Sequence, residues 1–393
     1  MRVLLAVAVL LGLVVAACTY QGFDFVACWI PWSEATRGTS PWLAYSVPGC
    51  NYPALALYAL TCSELARQAL HVPSHGLGQV LLIKLPFTLP YLAGAIAVAR
   101  QGTAWGRWAL PLAPPLLINA VVWGQTDAAL AIALAAAVSA CARERPYQGA
   151  ALFGLALSLK LQAIIAIPAA LVFGLRRFGP GRTLAACALA LGLMALVALP
   201  FFVQGYAGYV LSPYFLVVDA YPAIEKNAFN GWFLVDLPFR WSGRGLADAI
   251  ALAGPLTPKW LGLAGLAGYA AVVLARLWRQ PTPTQLKLAA ALLAFAFFML
   301  PTQIHERYLV PAVGLWALAA DELPPARPIF WGLCITASLN QLLVLGFDPG
   351  GLYPSLPRHL ILACGAVLAL ANLALFALAT RLAFATPSEA PAA

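Results

Sequence analysis

Long apolar runs separated by short polar breaks dominate the chain up to residue 385. Helical runs of roughly 17–25 apolar residues match the hydrocarbon thickness of a bilayer. The breaks predict about twelve spans, in a range of about 10–13, at residues 3–19, 77–99, 107–122, 127–142, 147–160, 162–175, 183–203, 259–278, 286–302, 307–320, 328–346 and 358–383. Three of them (147–160, 162–175 and 307–320) are short for a full crossing, which predicts broken or re-entrant helices.

The composition supports the same class of protein. The 393 residues are 62% hydrophobic and only 9% charged, and the mean hydropathy of +0.84 is far above that of a soluble domain. We therefore expect an all-α polytopic membrane protein with one integral membrane domain over residues 1–385 and a disordered tail over 386–393. Residues 1–18 also resemble a cleavable lipoprotein signal, but a retained first span gives consistent loop charges throughout.

The positions of the basic residues predict the orientation of the chain. The net charge is +9, and most of the surplus falls in short breaks between apolar runs, for example at Arg100, Arg143 and Arg176. Such breaks are typical of cytoplasmic loops, so the charge indicates no nucleic-acid partner. We expect both termini in the cytoplasm and the long polar segments on the outer face. Of the 23 basic residues, 18 are arginine, and alanine, leucine and glycine are abundant. This composition is typical of a bacterium with GC-rich DNA, so we predict a bacterial inner membrane.

Polar residues collect on that outer face, in the extracytoplasmic loops 20–76 and 204–258 and in shorter turns. The most informative turn is 305–308, which places His305, Glu306 and Arg307 between two uncharged apolar stretches. A charged side chain costs on the order of 2.5–3.5 kcal/mol at the centre of a bilayer. The turn therefore predicts a water-accessible site for an anionic ligand.

Other polar residues near span ends have both a functional and a structural interpretation. Asp24 follows the first span among aromatic residues, where it is either a general base or an ordinary interface aspartate. Gln125 and Asp127 lie in a tight turn that is either functional or simply solvated. Lys160 and Lys84 each lie near one end of an apolar run, which snorkelling alone explains, and for Lys84 we favour that explanation.

Two stretches have the composition of a carbohydrate site, in which amides bind hydroxyls and aromatic rings stack on sugars. One is the first outer loop with Trp32, Asn51 and Tyr52, and the other is 225–232 with Lys226, Asn227, Asn230 and Trp232. An ordinary interfacial loop is the alternative for the second. Cys28, Cys50 and Cys62 share the first outer loop, so one disulfide is possible there but is undetermined. Nucleotide-binding, zinc and serine-hydrolase motifs are absent.

Taken together, these motifs resemble the GT-C superfamily of membrane glycosyltransferases, and most closely the glucosyltransferases that use dolichyl-phosphate-glucose and their bacterial relatives. The resemblance follows the order of the chain, through Asp24 with Trp32, Asn51-Tyr52-Pro53-Ala54, Gly124-Gln125-Thr126-Asp127, Lys160, residues 225–232 and His305-Glu306-Arg307. Two positions depart from the family pattern, because Asn51 replaces an acid and Ala54 replaces a proline.

The resemblance implies a GT-C architecture and an inverting transfer of a sugar from a polyprenyl-phosphate donor to a lipid, glycan or protein acceptor. Asp24 would be the base, with no metal and no cofactor. Arg307, His305 and Lys226 would bind the donor phosphate, and Glu306 would orient Arg307. The expected sugar or acceptor contacts are Trp32, Asn51, Tyr52, Gln125, Asp127, Lys160, Asn227, Asn230 and Trp232.

The main alternative is a transporter or flippase for a lipid-linked or small anionic substrate, since short spans and intramembrane charges also suit transporters. The sequence shows no inverted repeat, and its polar residues crowd one face instead of the midplane. If the chain were a transporter, we would expect ionisable residues along one pathway that reaches the cytoplasmic side. A silent membrane scaffold, the third possibility, does not require the polar segments.

Overall fold

The computed structural model describes residues 24–215, 222–347 and 356–385. The predicted span 3–19, the signal-like residues 1–18 and the tail 386–393 lie outside the described residues.

The described residues form helices, with a few isolated β-bridges and no strand. The α-helices longer than one turn are α1 (Ile30–Ala35), α2 (Ala54–Ala69), α3 (Leu77–Ala99), α4 (Asp127–Ala142), α5 (Pro146–Leu159), α6 (Ile167–Arg177), α7 (Gly179–Val203), α8 (Ala207–Phe215), α9 (Gly231–Trp241), α10 (Pro258–Arg279), α11 (Pro283–Met299), α12 (Val310–Glu322), α13 (Arg327–Phe347) and α14 (Arg358–Ala385).

Five segments are long and apolar enough to cross a membrane, namely Leu77–Ala99, Gly179–Val203, Pro258–Arg279, Pro324–Gly346 and Arg358–Ala385. The all-α membrane class is therefore confirmed, while the number of about twelve spans stays a prediction. Most other predicted spans coincide with shorter helices, because their polar ends fold into turns that the apolar pattern does not resolve.

The predicted span 107–122 does not form one helix. It divides into the short helices Gly106–Ala109 and Pro114–Leu117, followed by a π-helix, Ile118–Trp123. Proline lacks the backbone N–H and clashes with the preceding turn, which explains the interruption between the two short helices. Of the three short predicted spans, 147–160 forms one continuous helix, Pro146–Leu159, so the prediction of a broken helix is wrong there. The spans 162–175 and 307–320 each begin with a 3₁₀ segment, Leu161–Ala166 and Glu306–Leu309 respectively, that continues into an α-helix.

The core lies between α4, α11 and α12, whose alanine, leucine and phenylalanine side chains are buried on nearly every side. By contrast, α7, α10 and α14 each expose several large apolar side chains, as a lipid-facing helix does. The bundle has two ends. We call the end with residues 24–76, 124–127 and 303–308 the site end, and the end with the arginine-rich connections the opposite end.

Candidate functional site

A hydrogen bond joins two of the predicted site residues across the site end. The Gln125 amide Nε2 donates to Asp24 Oδ2 at 2.7 Å, although the residues are 101 positions apart. Asp24 lies directly before a π-helix, Phe25–Trp29, and Gln125 follows another, Ile118–Trp123. The structure thus brings the proposed base to the polar turn that follows residue 123.

Asp127 lies at the centre of a buried charge cluster. Its carboxylate is fully buried, accepts a hydrogen bond from Lys160 Nζ at 2.7 Å, and lies 3.8 Å from Arg307 Nε. The Arg307 guanidinium also donates to Glu306 Oε1 at 2.8 Å. Two cations from distant parts of the chain are therefore held side by side by two carboxylates.

Interruptions between helices place these polar side chains at the site. α5 ends at Leu159, and Lys160 takes an extended conformation (φ −160°, ψ 136°) before the next 3₁₀ segment begins. Gly124 has φ 76°, and a Cβ there would lie 2.6–2.7 Å from side-chain atoms of Phe25 and Lys84. Only glycine fits this turn, which leads directly to Gln125. Irregular backbone at membrane depth is tolerated where it lines a cavity.

Aromatic rings surround the two cations. Lys160 Nζ lies 5.6 Å from the ring centre of Tyr52 and 5.5 Å from that of Tyr308, and the Arg307 guanidinium carbon lies 5.7 Å from that of Trp123. Such contacts stabilise a positive charge that is removed from water. The ring of Tyr52 also packs 4.9 Å from that of Trp29, which extends the aromatic wall.

Two adjoining cavities meet at this point. The first, which we call the polar cleft, has an empty volume of about 470 Å³ and is lined by Asn51, Tyr52, Pro53, Lys160, Leu161, Gln162, Pro213, Arg307 and Tyr308. The second, which we call the apolar groove, has an empty volume of about 810 Å³, and its lining includes Ile164, Leu263, Leu266, Phe297 and Ile304. Leu161, Gln162 and Tyr308 line both cavities.

Several buried polar atoms at the site make no hydrogen bond within the described residues. They are Trp29 Nε1, Trp32 Nε1, Gln125 Oε1, Asp127 Oδ2, Gln162 Oε1 and Arg307 Nε. Nearly all buried polar groups in folded proteins have a partner, so each exception needs a reason. A bound ligand that offers both donors and acceptors supplies one.

The segment 225–232 approaches the site through its backbone. Lys226 N donates to Ile304 O at 2.9 Å, and both Lys226 and Asn227 form β-bridges with His305. Burial lowers the pKa of His305 well below its usual range, and the charges of Arg307, Lys160 and Lys226 lower it further. His305 is therefore neutral at pH 7.

Two polar side chains of this segment, those of Asn230 and Trp232, serve the fold. Asn230 is fully buried, caps α9 by accepting from Trp232 N and Phe233 N, and donates to Phe298 O at 2.8 Å. The Trp232 indole donates to Leu300 O at 2.6 Å, and Asn227 Oδ1 accepts from Arg240 at 3.0 Å. We therefore leave Asn230 and Trp232 out of the ligand contacts proposed below.

Sequence reasoning gave Lys84 a minor role, and the structure corrects it. Lys84 does not snorkel to an interface, because it is 1% exposed and its Nζ donates to Val122 O at 2.6 Å. Its spacing from the buried residues Val80 and Phe87 was the available signal. Trp29, Gln162 and Tyr308 also lie at the site, and of these the sequence indicated only Tyr308, as part of the turn 305–308. Cys28, Cys50 and Cys62 are all free thiols in this structure.

A comparison with known families gives a partial match that is consistent with a membrane glycosyltransferase of the GT-C type. A family model described as ALG3 protein matches residues 125–216, which are 92 of the 393 residues. That family contains mannosyltransferases that use dolichyl-phosphate-mannose. The matched segment includes Gln125, Asp127 and Lys160 but not residues 305–307. A search of curated proteins found no match.

Proposed function

We propose that the chain is an inverting glycosyltransferase that transfers a sugar from a polyprenyl-phosphate donor to a lipid, glycan or protein acceptor. The observation that carries the proposal is the pair of largely buried cations, Lys160 and Arg307, in the polar cleft, which shares lining residues with the adjoining apolar groove. A lipid phosphate needs both environments, because its charge must be neutralised while its tail stays out of water. The partial match to a family with lipid-linked donors supports the same donor class.

The donor phosphate binds between Lys160 and Arg307. Asp127 lies behind both cations and keeps them together in the absence of ligand. Positive charge positioned before the reaction stabilises the phosphate as it leaves, so no general acid is required. Lys226 and His305 lie next to this pair and complete the phosphate site, and Glu306 orients Arg307. Lys160, first expected to contact the sugar or acceptor, is thus reassigned to the phosphate.

Asp24 acts as the general base. The acceptor hydroxyl oxygen bonds to the anomeric carbon as the bond from that carbon to the phosphate oxygen breaks, and its proton passes to the Asp24 carboxylate. The products are the glycosylated acceptor and polyprenyl phosphate, with inversion at the anomeric carbon. Gln125 holds the carboxylate through its 2.7 Å hydrogen bond. Because cations neutralise the phosphate, the transfer does not strictly require a metal.

The prenyl tail lies in the apolar groove beside α10, which exposes large apolar residues such as Leu261 and Val272. Trp32, Asn51, Tyr52 and Asn227 surround the sugar or the acceptor. Trp29 joins them, because the buried indole N–H groups of Trp29 and Trp32 make no hydrogen bond within the described residues. These residues determine which sugar is transferred. The motifs resemble enzymes that transfer glucose, whereas the matched family transfers mannose.

A transporter or flippase remains the alternative, and the core argues against it. At the opposite end, a cavity of about 630 Å³ is lined by Arg143, Lys287, Asp321 and Glu322 among others. The buried apolar residues of α4, α11 and α12 separate that cavity from the polar cleft. A transport pathway requires polar residues along its length, and the buried residues of these three helices are largely apolar.

The arginine-rich opposite end is proposed to face the cytoplasm and the site end the outside of a bacterial inner membrane. This orientation places the active face where polyprenyl-phosphate sugars act as donors and where no nucleotide sugar is needed.

A donor screen tests the proposal. Purified protein in detergent is incubated with labelled polyprenyl-phosphate mannose, glucose and other hexoses in the presence of glycolipid and peptide acceptors. We expect consumption of one donor with release of polyprenyl phosphate. If no donor is consumed and the protein in proteoliposomes instead moves a labelled lipid-linked sugar across the bilayer, the glycosyltransferase proposal is wrong.

A further inference from the structure

Lys84 is a buried lysine within a membrane-spanning helix. It lies two turns inside α3, is 1% exposed, and donates from Nζ to Val122 O at 2.6 Å. Its Nζ also lies 5.3 Å from the ring centre of Phe25. Burying an ammonium group at membrane depth is costly, so a specific role is expected.

Two carbonyl groups that side chains of α3 contact, those of Val122 and Ala120, belong to a π-helix. In Ile118–Trp123 the wider turn changes the usual hydrogen-bond pattern, and π-helices of one turn are frequent at functional sites. Asn119 O accepts from Gln125 N at 2.9 Å, and Thr88 Oγ1, one turn along α3 from Lys84, donates to Ala120 O at 3.0 Å. Lys84 thus donates to the end of this wide turn, next to Gly124, while Thr88 donates to its middle.

Lys84 contacts Phe25 and Gly124, the chain neighbours of Asp24 and Gln125. A Cβ at Gly124 would lie 2.7 Å from Lys84 Cγ and 2.6 Å from Phe25 Cε2, so the three residues are in close contact. Gly124 precedes Gln125, and Phe25 follows Asp24. The Lys84 side chain therefore lies where the two backbone segments that carry the pair converge.

We propose that Lys84 is a positioning residue that holds the turn 122–125 so that Gln125 orients the Asp24 carboxylate. The inference rests on the proposed function of Asp24 as the base. It predicts that a change at Lys84 acts through Gln125 and not through substrate contact.

The first test compares turnover in Lys84→Met, Lys84→Gln and Lys84→Arg, with Thr88→Val as the matched control on the same helix. A small misplacement of a catalytic group costs up to about 100-fold. We expect Lys84→Met and Lys84→Gln to lower kcat by about 10–100-fold with the donor KM within about 3-fold, and Lys84→Arg to restore most of kcat.

Thr88→Val removes a neighbouring bond to the same π-helix and should stay within about 3-fold of the wild type. Equal losses in Lys84→Gln and Thr88→Val would overturn the inference, since a general loosening of the π-helix would then explain both.

A double-mutant cycle tests the route of the effect. Gln125→Ala should lower kcat to a similar extent, and adding Lys84→Met or Lys84→Gln to Gln125→Ala should cost less than about 3-fold more. A full additional loss in the double variant would show that Lys84 acts independently of Gln125, and the inference would be wrong.

A third readout does not depend on turnover. Amide hydrogen exchange of peptides that cover residues 118–127, measured by mass spectrometry on the detergent-solubilised full chain, reports local opening of this turn. We expect faster exchange in Lys84→Met and Lys84→Gln, and wild-type exchange in Lys84→Arg and Thr88→Val.

These outcomes separate the two proposals. If the wild type consumes no donor but hydrogen exchange changes in the variants as described, the proposed function fails while the positioning by Lys84 stands. If the wild type consumes a donor and Lys84→Gln keeps the wild-type rate and exchange, the positioning fails and the proposed function stands.

Discussion

Ion pairs between elements occur at both ends of the helical bundle, but they differ in what they leave unsatisfied. At the opposite end, Arg177 and Glu144 pair at 2.7 Å with more than half of each side chain exposed. Asp321 there accepts from the backbone N–H groups of Thr103 and Gly106 and from the Thr103 hydroxyl, so its carboxylate is occupied by one loop.

At the site end, the pairs are buried and incompletely satisfied. Asp127 is shared by Lys160 and Arg307, and its Oδ2 makes no hydrogen bond within the described residues. The comparison shows that the presence of paired charged residues does not by itself identify a functional site in this chain. What marks it is burial together with unused donors and acceptors.

The largest expected effect is at the proposed base. Asp24→Asn removes the proton acceptor but keeps the shape and a possible bond to Gln125, so we expect kcat to fall by about 10²–10⁴-fold. Donor affinity should be retained, because Asp24 is not placed at the phosphate. Turnover and equilibrium binding of a labelled polyprenyl-phosphate sugar check both parts. Wild-type turnover in this variant would exclude Asp24 as the base.

The second effect concerns the two cations that line the polar cleft. Lys160→Gln and Arg307→Gln should each lower kcat/KM by about 10²–10³-fold, because each removes preorganised positive charge from the leaving phosphate. Initial rates with the donor identified in the screen measure the loss. Arg177→Gln at the opposite end is the matched control, and an equal loss in all three variants would remove the distinction between the two ends.

A smaller effect is expected from pH. Burial raises the pKa of Glu225 to about 7, although Arg240 at 2.5 Å lowers it. The native state then holds this proton more tightly than the unfolded chain, whose Glu pKa is 4.5. The associated stability is present below pH 4.5 and is lost as the pH rises to about 7.

Thermal unfolding in detergent between pH 5 and 8 measures this dependence. We expect Tm to fall with rising pH in the wild type and to fall less in Glu225→Gln, which keeps a neutral side chain of the same shape. A control, Glu144→Gln, should keep the wild-type slope, because Glu144 is exposed. Equal slopes in the wild type and Glu225→Gln would contradict this assignment.

The smallest effect is expected for the exposed pair itself. Arg177→Ala should change the free energy of unfolding by less than about 0.5 kcal/mol, as exposed ion pairs contribute little. Thermal unfolding is the measurement. A loss of several kcal/mol would show that the opposite end depends on its ion pairs as strongly as the site end does.

Apolar periodicity was sufficient to predict most of the helices, because membrane-spanning helices carry a strong and continuous signal. Leu77–Ala99 and Asp127–Ala142 coincide with predicted spans. The charged residues of the site were also visible, since Lys160 and Arg307 stand out in an apolar chain. What sequence reasoning missed depends on contacts between distant segments.

The π-helices and the roles of Lys84 and Asn230 illustrate this limit. A π-helix differs from an α-helix in that its hydrogen bonds span five residues instead of four, a difference that no apolar pattern resolves in so short a segment. The sequence predicts snorkelling for Lys84, because it does not show that Val122 O, 38 residues away, lies within reach as an acceptor. Asn230 has the composition of a sugar contact, yet it caps α9 and donates to α11.

The central claim is that a lipid phosphate binds between Lys160 and Arg307, and a structure with bound polyprenyl phosphate tests it most directly. Electron cryo-microscopy of the protein in a nanodisc with excess polyprenyl phosphate should show the phosphate within hydrogen-bond distance, about 2.7–3.2 Å, of Lys160 Nζ and of the Arg307 guanidinium. The prenyl chain should follow the apolar groove along α10. A phosphate bound at the opposite end, near Arg143 and Lys287, would contradict the account.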